Sequence, residues 1–99
     1  NGILKSTIFA QKTMNVSVDI SMYPLHKEYE SPIQDFIKRL RATKFNIIEN
    51  PLSTQVYGDY IEVMEWINKN MHSSFLEEKH CVFILKIVNG DRGYYEPNF

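Results

Sequence analysis

Apolar and polar residues alternate from residue 14 to residue 22. The apolar positions are Met14, Val16, Val18, Ile20 and Met22, and the polar ones are Asn15, Ser17, Asp19 and Ser21. Side chains of a β-strand point alternately to its two faces, so this pattern predicts a strand with one buried face and one open face. The strand is expected to stop at Tyr23-Pro24, because proline cannot donate a backbone hydrogen bond.

Two later segments carry apolar residues three and four positions apart, which predicts two helices. Ser31-Pro32-Ile33-Gln34 combines a capping hydroxyl, a proline at the first helical position and a glutamine, so the first helix is expected to be capped by Ser31. Asp59, three residues before Glu62, is expected to cap the second helix. The predicted buried stripes are Ile33, Phe36, Ile37 and Leu40 in the first helix, and Ile61, Met64, Ile67, Met71 and Phe75 in the second.

Three extended runs complete the pattern. Residues 45–49 and 53–57 are short runs on either side of the turn at Asn50-Pro51, and residues 81–88 form a longer apolar run. Gly58 is expected to adopt a backbone conformation closed to other residues. The order strand, helix, strand, strand, helix, strand predicts an α+β, ferredoxin-like βαββαβ fold, with two helices on one face of a four-stranded antiparallel sheet and the first and third strands at its centre.

The other face of this sheet is left without helices. On the first strand it carries the polar residues named above, and on the fourth it carries Val82, Ile84, Lys86 and Val88. A partly apolar patch is costly to leave in water, so we expect a homodimer or a larger homo-oligomer in which open faces are buried.

Composition limits the classes of function. The chain has 99 residues and a formal net charge of -1, so it is expected to form one domain and to lack the field that attracts nucleic acid or anionic membranes. Its single cysteine cannot form an internal disulfide and no apolar run is long enough to span a membrane, which favours a cytoplasmic location. Residues 1–13 are interpreted as an N-terminal extension, 14–92 as the domain and 93–99 as a C-terminal tail.

Catalytic and metal sites find little support in the sequence. His26, His72 and His80 are scattered over different predicted elements, and Cys81 is expected to be an inert thiol facing the core, so no metal site or cofactor is predicted. An acylphosphatase-like enzyme would need a phosphate cradle and an arginine in the first loop, but residues 23–30 contain neither glycine nor arginine. We therefore expect a protein that is not an enzyme.

Three segments, taken together, resemble a known family. They are Ser21-Met22-Tyr23-Pro24-Leu25, Ser53-Thr54-Gln55-Val56-Tyr57-Gly58-Asp59 and Lys86-Ile87-Val88-Asn89-Gly90-Asp91-Arg92. With the intervening helices, residues 14–92 resemble the small thiamine-binding protein family, a ferredoxin-like domain formerly of unknown function. The resemblance implies a cytoplasmic binder of thiamine or its hydroxymethylpyrimidine moiety, assembled into dimers or tetramers through sheet faces.

A heterocyclic ligand of this kind needs hydrogen-bonding groups, a flat apolar surface and a carboxylate near a positive ring. The open face is expected to supply them. The candidates are Ser21, Ser53 and Thr54 for hydrogen bonds, Tyr23 or Tyr57 for stacking, Asp19 for the positive charge, and Lys86 on the neighbouring strand. Two alternatives stay open: Asp19 and Lys86 form a cross-strand ion pair, or the whole module is a structural or regulatory homo-oligomer without a small ligand.

Overall fold

Two layers, a four-stranded sheet and a pair of helices, make up residues 13–98, the part of the chain that the computed structural model describes. The elements are β1 (Asn15–Pro24), α1 (Glu30–Arg41), β2 (Asn46–Glu49), β3 (Thr54–Asp59), α2 (Tyr60–Glu77) and β4 (Cys81–Asn89). The strand order is β2-β3-β1-β4 and every neighbouring pair is antiparallel. This confirms the predicted ferredoxin-like fold. The predicted extension 1–13 falls outside the described residues except for Thr13.

The hydrophobic core lies between the helices and the apolar face of the two central strands. Its fully buried members are Val16, Val18 and Val56 from the sheet, Leu40 from α1, and Val63 and Ile67 from α2. Alternation along β1 and helical spacing in α1 and α2 place these side chains on facing surfaces. Neither described helix is long and apolar enough to cross a lipid bilayer.

The two helix caps differ from each other. Asp59 caps α2 as predicted, because its carboxylate accepts a 3.1 Å hydrogen bond from the Glu62 amide. The prediction for Ser31 is wrong: α1 begins at Glu30, its N-cap is Tyr29, and that cap makes no side-chain hydrogen bond. Pro32 is still tolerated there, since the first-turn amides of a helix have no intrahelical acceptor.

The buried stripe of α2 is rotated from the predicted one. Val63, Ile67 and Ser74 are buried, whereas the predicted members Ile61 and Phe75 are about half exposed, at 49% and 50%. A residue two positions from Val63 lies on the opposite side of a helix, so Val63 and Ile61 cannot both face the core. The predicted stripe is therefore wrong at its two ends.

Gly58 serves close packing rather than an unusual backbone conformation. The positive φ in the described residues belongs to Gly90, at 90°, where the chain turns after β4. A Cβ at Gly58 would lie 3.0 Å from Phe45 Cδ1 and 3.1 Å from Val63 Cγ2. The predicted reason for this glycine is therefore wrong, and the physical reason is the approach of Phe45 and α2 to β3.

The open face exists as predicted, but one end of it is covered. Ser17 donates a 2.7 Å hydrogen bond to the Gly90 carbonyl and accepts a 2.8 Å hydrogen bond from the Arg92 amide. These bonds direct the C-terminal tail across the sheet, where Gly93 lies against the Tyr57 ring. Ser17 is consequently buried although it lies on the face without helices.

Candidate functional site

A gap in the sheet forms a cleft beside the end of β1. β1 pairs with β4 as far as Pro24, but its pairing with β3 ends at Ile20 and Thr54. Residues 21–24 therefore extend past β3, and no strand within residues 13–98 lies on that side. The gap between this overhang, the start of α1 and the turn at residues 50–53 is called the notch below.

The notch is a cleft of about 480 Å³ with mainly apolar walls. Its apolar lining residues are Ile20, Met22, Pro24, Leu25, Ile33, Phe36, Ile37, Pro51 and Leu52. Tyr23 and Tyr29 add aromatic surface and are 46% and 49% exposed. Among residues 13–98 the lining contains no charged side chain, and the volume lies in the range of small-molecule sites.

The edge of the notch offers a backbone donor and a backbone acceptor. The Tyr60 amide bonds to the Met14 carbonyl at 2.7 Å, so the even-numbered residues of β1 direct their N–H and C=O groups towards β3. Met22 keeps this orientation beyond the last β3 partner. Its N–H and C=O therefore lie at the edge of the notch, and no strand in the described part of the chain pairs with them there.

Side chains at the rim complete the polar groups of the notch. Thr54 is 7% exposed, and its hydroxyl makes no hydrogen bond to another residue within 13–98. Ser21 donates a 3.3 Å hydrogen bond to the Leu52 carbonyl. The side chain of Asn50 accepts hydrogen bonds from the amides of Leu52 and Ser53, at 3.2 and 3.0 Å, which fixes the turn that forms the outer wall.

A second, shallower cavity of about 440 Å³ lies on the open face. Its lining includes Asp19, Gln55, Tyr57, Lys86 and Arg92. It is more polar than the notch and contains charges of both signs. Ser53 and the turn around it separate the two cavities and contribute to both.

The predicted ion pair between Asp19 and Lys86 is wrong. The two residues are direct cross-strand partners, as expected. The Asp19 carboxylate instead accepts a 2.5 Å hydrogen bond from Ser53 Oγ and a longer one, 3.5 Å, from Gln55 Nε2. The short side chain of Ser53 makes this bond at little cost in conformational entropy, whereas the long, exposed side chain of Lys86 would lose more entropy if an ion pair ordered it.

The structure does not bring the predicted site residues into one cavity. Ser21, Tyr23, Ser53 and Thr54 line the notch, while Asp19, Ser53, Tyr57 and Lys86 line the open-face cavity. The placement of Thr54 on the open face is wrong, because it pairs with Ile20 and shares the helix-covered side of the sheet. A ligand contact by any of these residues stays a prediction.

Tyr57 has little free ring surface for stacking. It is 8% exposed, and a Cβ on Gly93 would lie only 3.3 Å from its Cγ. Burial, together with the negative charges of Asp91 and Asp19, raises the pKa of the Tyr57 phenol. This ring supports the C-terminal tail in the structure.

Sequence reasoning missed part of the notch wall. The sequence pattern predicts that Leu25 and Tyr29 lie in the first loop and that Ile33 and Ile37 lie in the buried stripe of the first helix. All four line the notch. The shortness of the 53–57 run beside the longer first strand was the available signal, because strands of unequal length leave an overhang. The unpaired backbone of Met22 follows from the same mismatch.

Cys81 packs against the core, as predicted, and burial, together with the negative charge of Glu78, raises the pKa of its thiol. Within residues 13–98 no cluster of three or more histidine, cysteine, aspartate or glutamate side chains is placed to hold a metal ion.

Solved structures with the same fold exist, but no protein-family model and no curated protein matches the chain significantly. A "putative thiamine biosynthesis/salvage protein" from Thermotoga maritima is 21% identical, with a TM-score of 0.68 over 74% of this chain and 81% of that one. A protein from Streptococcus pneumoniae is 19% identical, with a TM-score of 0.74 over 82% of this chain and 92% of that one. A domain of unknown function, DUF77, from Bacillus cereus is 13% identical, with a TM-score of 0.65 over 87% of this chain and 80% of that one. At these identities the structural similarity shows a shared fold.

Proposed function

We propose that this protein binds a small heterocycle of the aminopyrimidine type, such as the hydroxymethylpyrimidine moiety of thiamine, in the notch. The observation that carries the proposal is the unpaired backbone of Met22 at the edge of an uncharged, largely apolar cleft. An aminopyrimidine has a ring nitrogen that accepts a hydrogen bond beside an amino group that donates one. A backbone N–H and C=O from one residue match that pattern.

The walls of the notch suit the rest of such a ring. Tyr23 and Tyr29 offer aromatic faces, and the hydroxyl of Thr54, which has no hydrogen-bond partner within residues 13–98, offers one more hydrogen bond. The uncharged lining favours a neutral ring over the cationic thiazolium of intact thiamine, because an unpaired cation loses hydration there. The Thermotoga maritima protein with the same fold is a putative thiamine biosynthesis/salvage protein, which supports a ligand related to thiamine.

The proposed role is binding without chemical conversion. The described residues that line the notch include no histidine, carboxylate or lysine, so they supply no general base of those types. The alternative function is a structural or regulatory homo-oligomer without a small ligand. The exposed apolar residues Val82 and Ile84 on the open face favour that alternative.

Calorimetric titration tests the proposal. We expect 4-amino-5-hydroxymethyl-2-methylpyrimidine to bind, thiamine to bind more weakly, and a hydroxyethylthiazole control to give no heat. Tyr29→Ala should weaken binding, whereas the matched substitution Tyr94→Ala on the exposed tail should not. Lys86→Ala, in the open-face cavity, should also leave affinity unchanged. Absence of binding by both pyrimidine compounds would contradict the proposal, and loss of affinity only in Lys86→Ala would move the site to the open face.

A further inference from the structure

The open-face cavity contains charged side chains of both signs that do not pair with each other. Asp19 on β1 and Lys86 on β4 are direct cross-strand partners, and Arg92 lines the same cavity from the C-terminal tail. Within residues 13–98 the side chains of Lys86 and Arg92 make no ion pair and no hydrogen bond. Opposite charges at facing positions of a sheet ordinarily attract each other, so their separation leaves charge of both signs free to contact a ligand.

The two oxygens of the Asp19 carboxylate differ in their hydrogen bonds. Ser53 Oγ and Gln55 Nε2 both donate to Oδ1, at 2.5 and 3.5 Å, and no donor in the described part of the chain reaches Oδ2. Each oxygen of an ionised carboxylate accepts hydrogen bonds, so Oδ2 can accept one from an ammonium group. The bond from Ser53 holds the carboxylate in position for that contact.

A buried phenol adds an uncharged donor to the cavity. Tyr57 lines the cavity, is only 8% exposed, and its hydroxyl has no hydrogen-bond partner among residues 13–98. Buried polar groups normally have a partner, so this hydroxyl is ready to bond to a ligand. Arg92 is held near it, because its backbone amide donates a 2.8 Å hydrogen bond to Ser17 Oγ, and Ser17 lies directly opposite Tyr57 in the sheet.

We propose that the open-face cavity binds a small zwitterion of the α-amino acid type. The ammonium group of the ligand bonds to Asp19 Oδ2. The carboxylate of the ligand bonds to Lys86 and Arg92, with the Tyr57 hydroxyl as a further donor. Each charge in the cavity then meets its opposite on one ligand.

Singly charged ligands fit this cavity less well. A simple anion would lie near the Asp19 carboxylate, and a simple cation would lie near two positive side chains, so each would be partly repelled. Leu52 and Val88 also line the cavity and offer apolar contact to an aliphatic side chain. The notch differs, because its lining within residues 13–98 carries no charge. The two sites are independent, and a notch that binds no aminopyrimidine would leave this one unaffected.

Titration of the full chain with three related compounds, followed by backbone amide chemical shifts, tests the zwitterion. L-Leucine carries both charges, 4-methylpentanoate lacks the ammonium group, and 3-methylbutylamine lacks the carboxylate. We expect L-leucine to give saturable shifts at Gln55 and Lys86 with a dissociation constant about fivefold or more below that of either singly charged compound, since one partly exposed charge contact contributes about that factor. Constant ionic strength keeps general screening equal. No saturable shift with L-leucine, or equal affinity for all three compounds, would overturn the proposal.

Variants that remove one charge assign each group of the ligand. Lys86→Met should weaken binding of L-leucine and 4-methylpentanoate but not of 3-methylbutylamine. Asp19→Asn, whose amide oxygen still accepts the bond from Ser53, should weaken L-leucine and 3-methylbutylamine but not 4-methylpentanoate. Lys38→Met, at an exposed position of α1 across the sheet, is the matched control and should leave all three affinities unchanged. Equal weakening of the anion and the amine in Lys86→Met, or the same losses in Lys38→Met, would overturn the proposal.

Discussion

The hydroxyl of Ser53 donates a 2.5 Å hydrogen bond to the carboxylate of Asp19. This bond ties the turn before β3 to the open face of β1 and fixes the wall between the notch and the open-face cavity. Lys86, the direct cross-strand partner of Asp19, takes no part in it.

Double-mutant cycles should separate these two partners of Asp19. We expect a coupling free energy of about 1 kcal/mol between Asp19→Ala and Ser53→Ala, because a hydrogen bond to a charged acceptor is lost once rather than twice. The cycle with Lys86→Ala should give a coupling near zero. Urea unfolding supplies the free energies, and a larger coupling to Lys86 would contradict the geometry.

The two helix caps make opposite predictions for alanine substitution. Asp59→Ala should reduce the free energy of unfolding by about 1 kcal/mol, because the Glu62 amide loses its acceptor. Ser31→Ala should change it by only a few tenths of that, since Ser31 lies inside the first turn of α1 and caps nothing. Equal losses in both variants, measured by chemical denaturation, would contradict this assignment.

Gly58→Ala should destabilise the fold by about 1 to 3 kcal/mol, because the added methyl meets Phe45 and Val63 in the packed core. Thermal and urea unfolding measure the loss. The double variant Gly58→Ala with Phe45→Leu provides the control, since it makes room beside the new methyl and should recover part of the stability. No recovery would point to a backbone requirement at Gly58 instead.

Alkaline pH should reveal the burial of Tyr57. Its pKa is raised in the folded state, so the contribution of the neutral phenol to stability is complete below the ordinary value of about 10 and declines as pH rises through that range towards the folded pKa. Tyr57→Phe should therefore lose less stability than the wild type on this titration. Tyr94→Phe, at a residue 82% exposed, should follow the wild type.

Much of the fold could be predicted from the sequence, because alternation and helical spacing report directly on which face is buried. The alternating residues of β1 predicted its buried face, the order of the elements predicted the strand order, and Asp59 predicted the start of α2. The cap at Ser31 failed, since several first-turn positions satisfy the same pattern and only packing selects among them.

The candidate site was harder to predict, because it depends on how far neighbouring strands extend. The overhang of residues 21–24 past β3 can be recognised only when the register is known. The register also places Thr54 beside Ile20, on the helix-covered side of the sheet. The covering of Tyr57 depends on a tail with no periodic pattern. The path of this tail follows from two hydrogen bonds that Ser17 makes with Gly90 and Arg92, and no local sequence pattern predicts them.

Backbone amide chemical shifts recorded during titration with 4-amino-5-hydroxymethyl-2-methylpyrimidine test the central claim most directly. The account predicts large, saturable shifts at Met22 and Thr54, with the amides of Gln55 and Lys86 on the open face nearly unchanged. Saturable shifts confined to the open face, or no saturable shift at Met22, would contradict it.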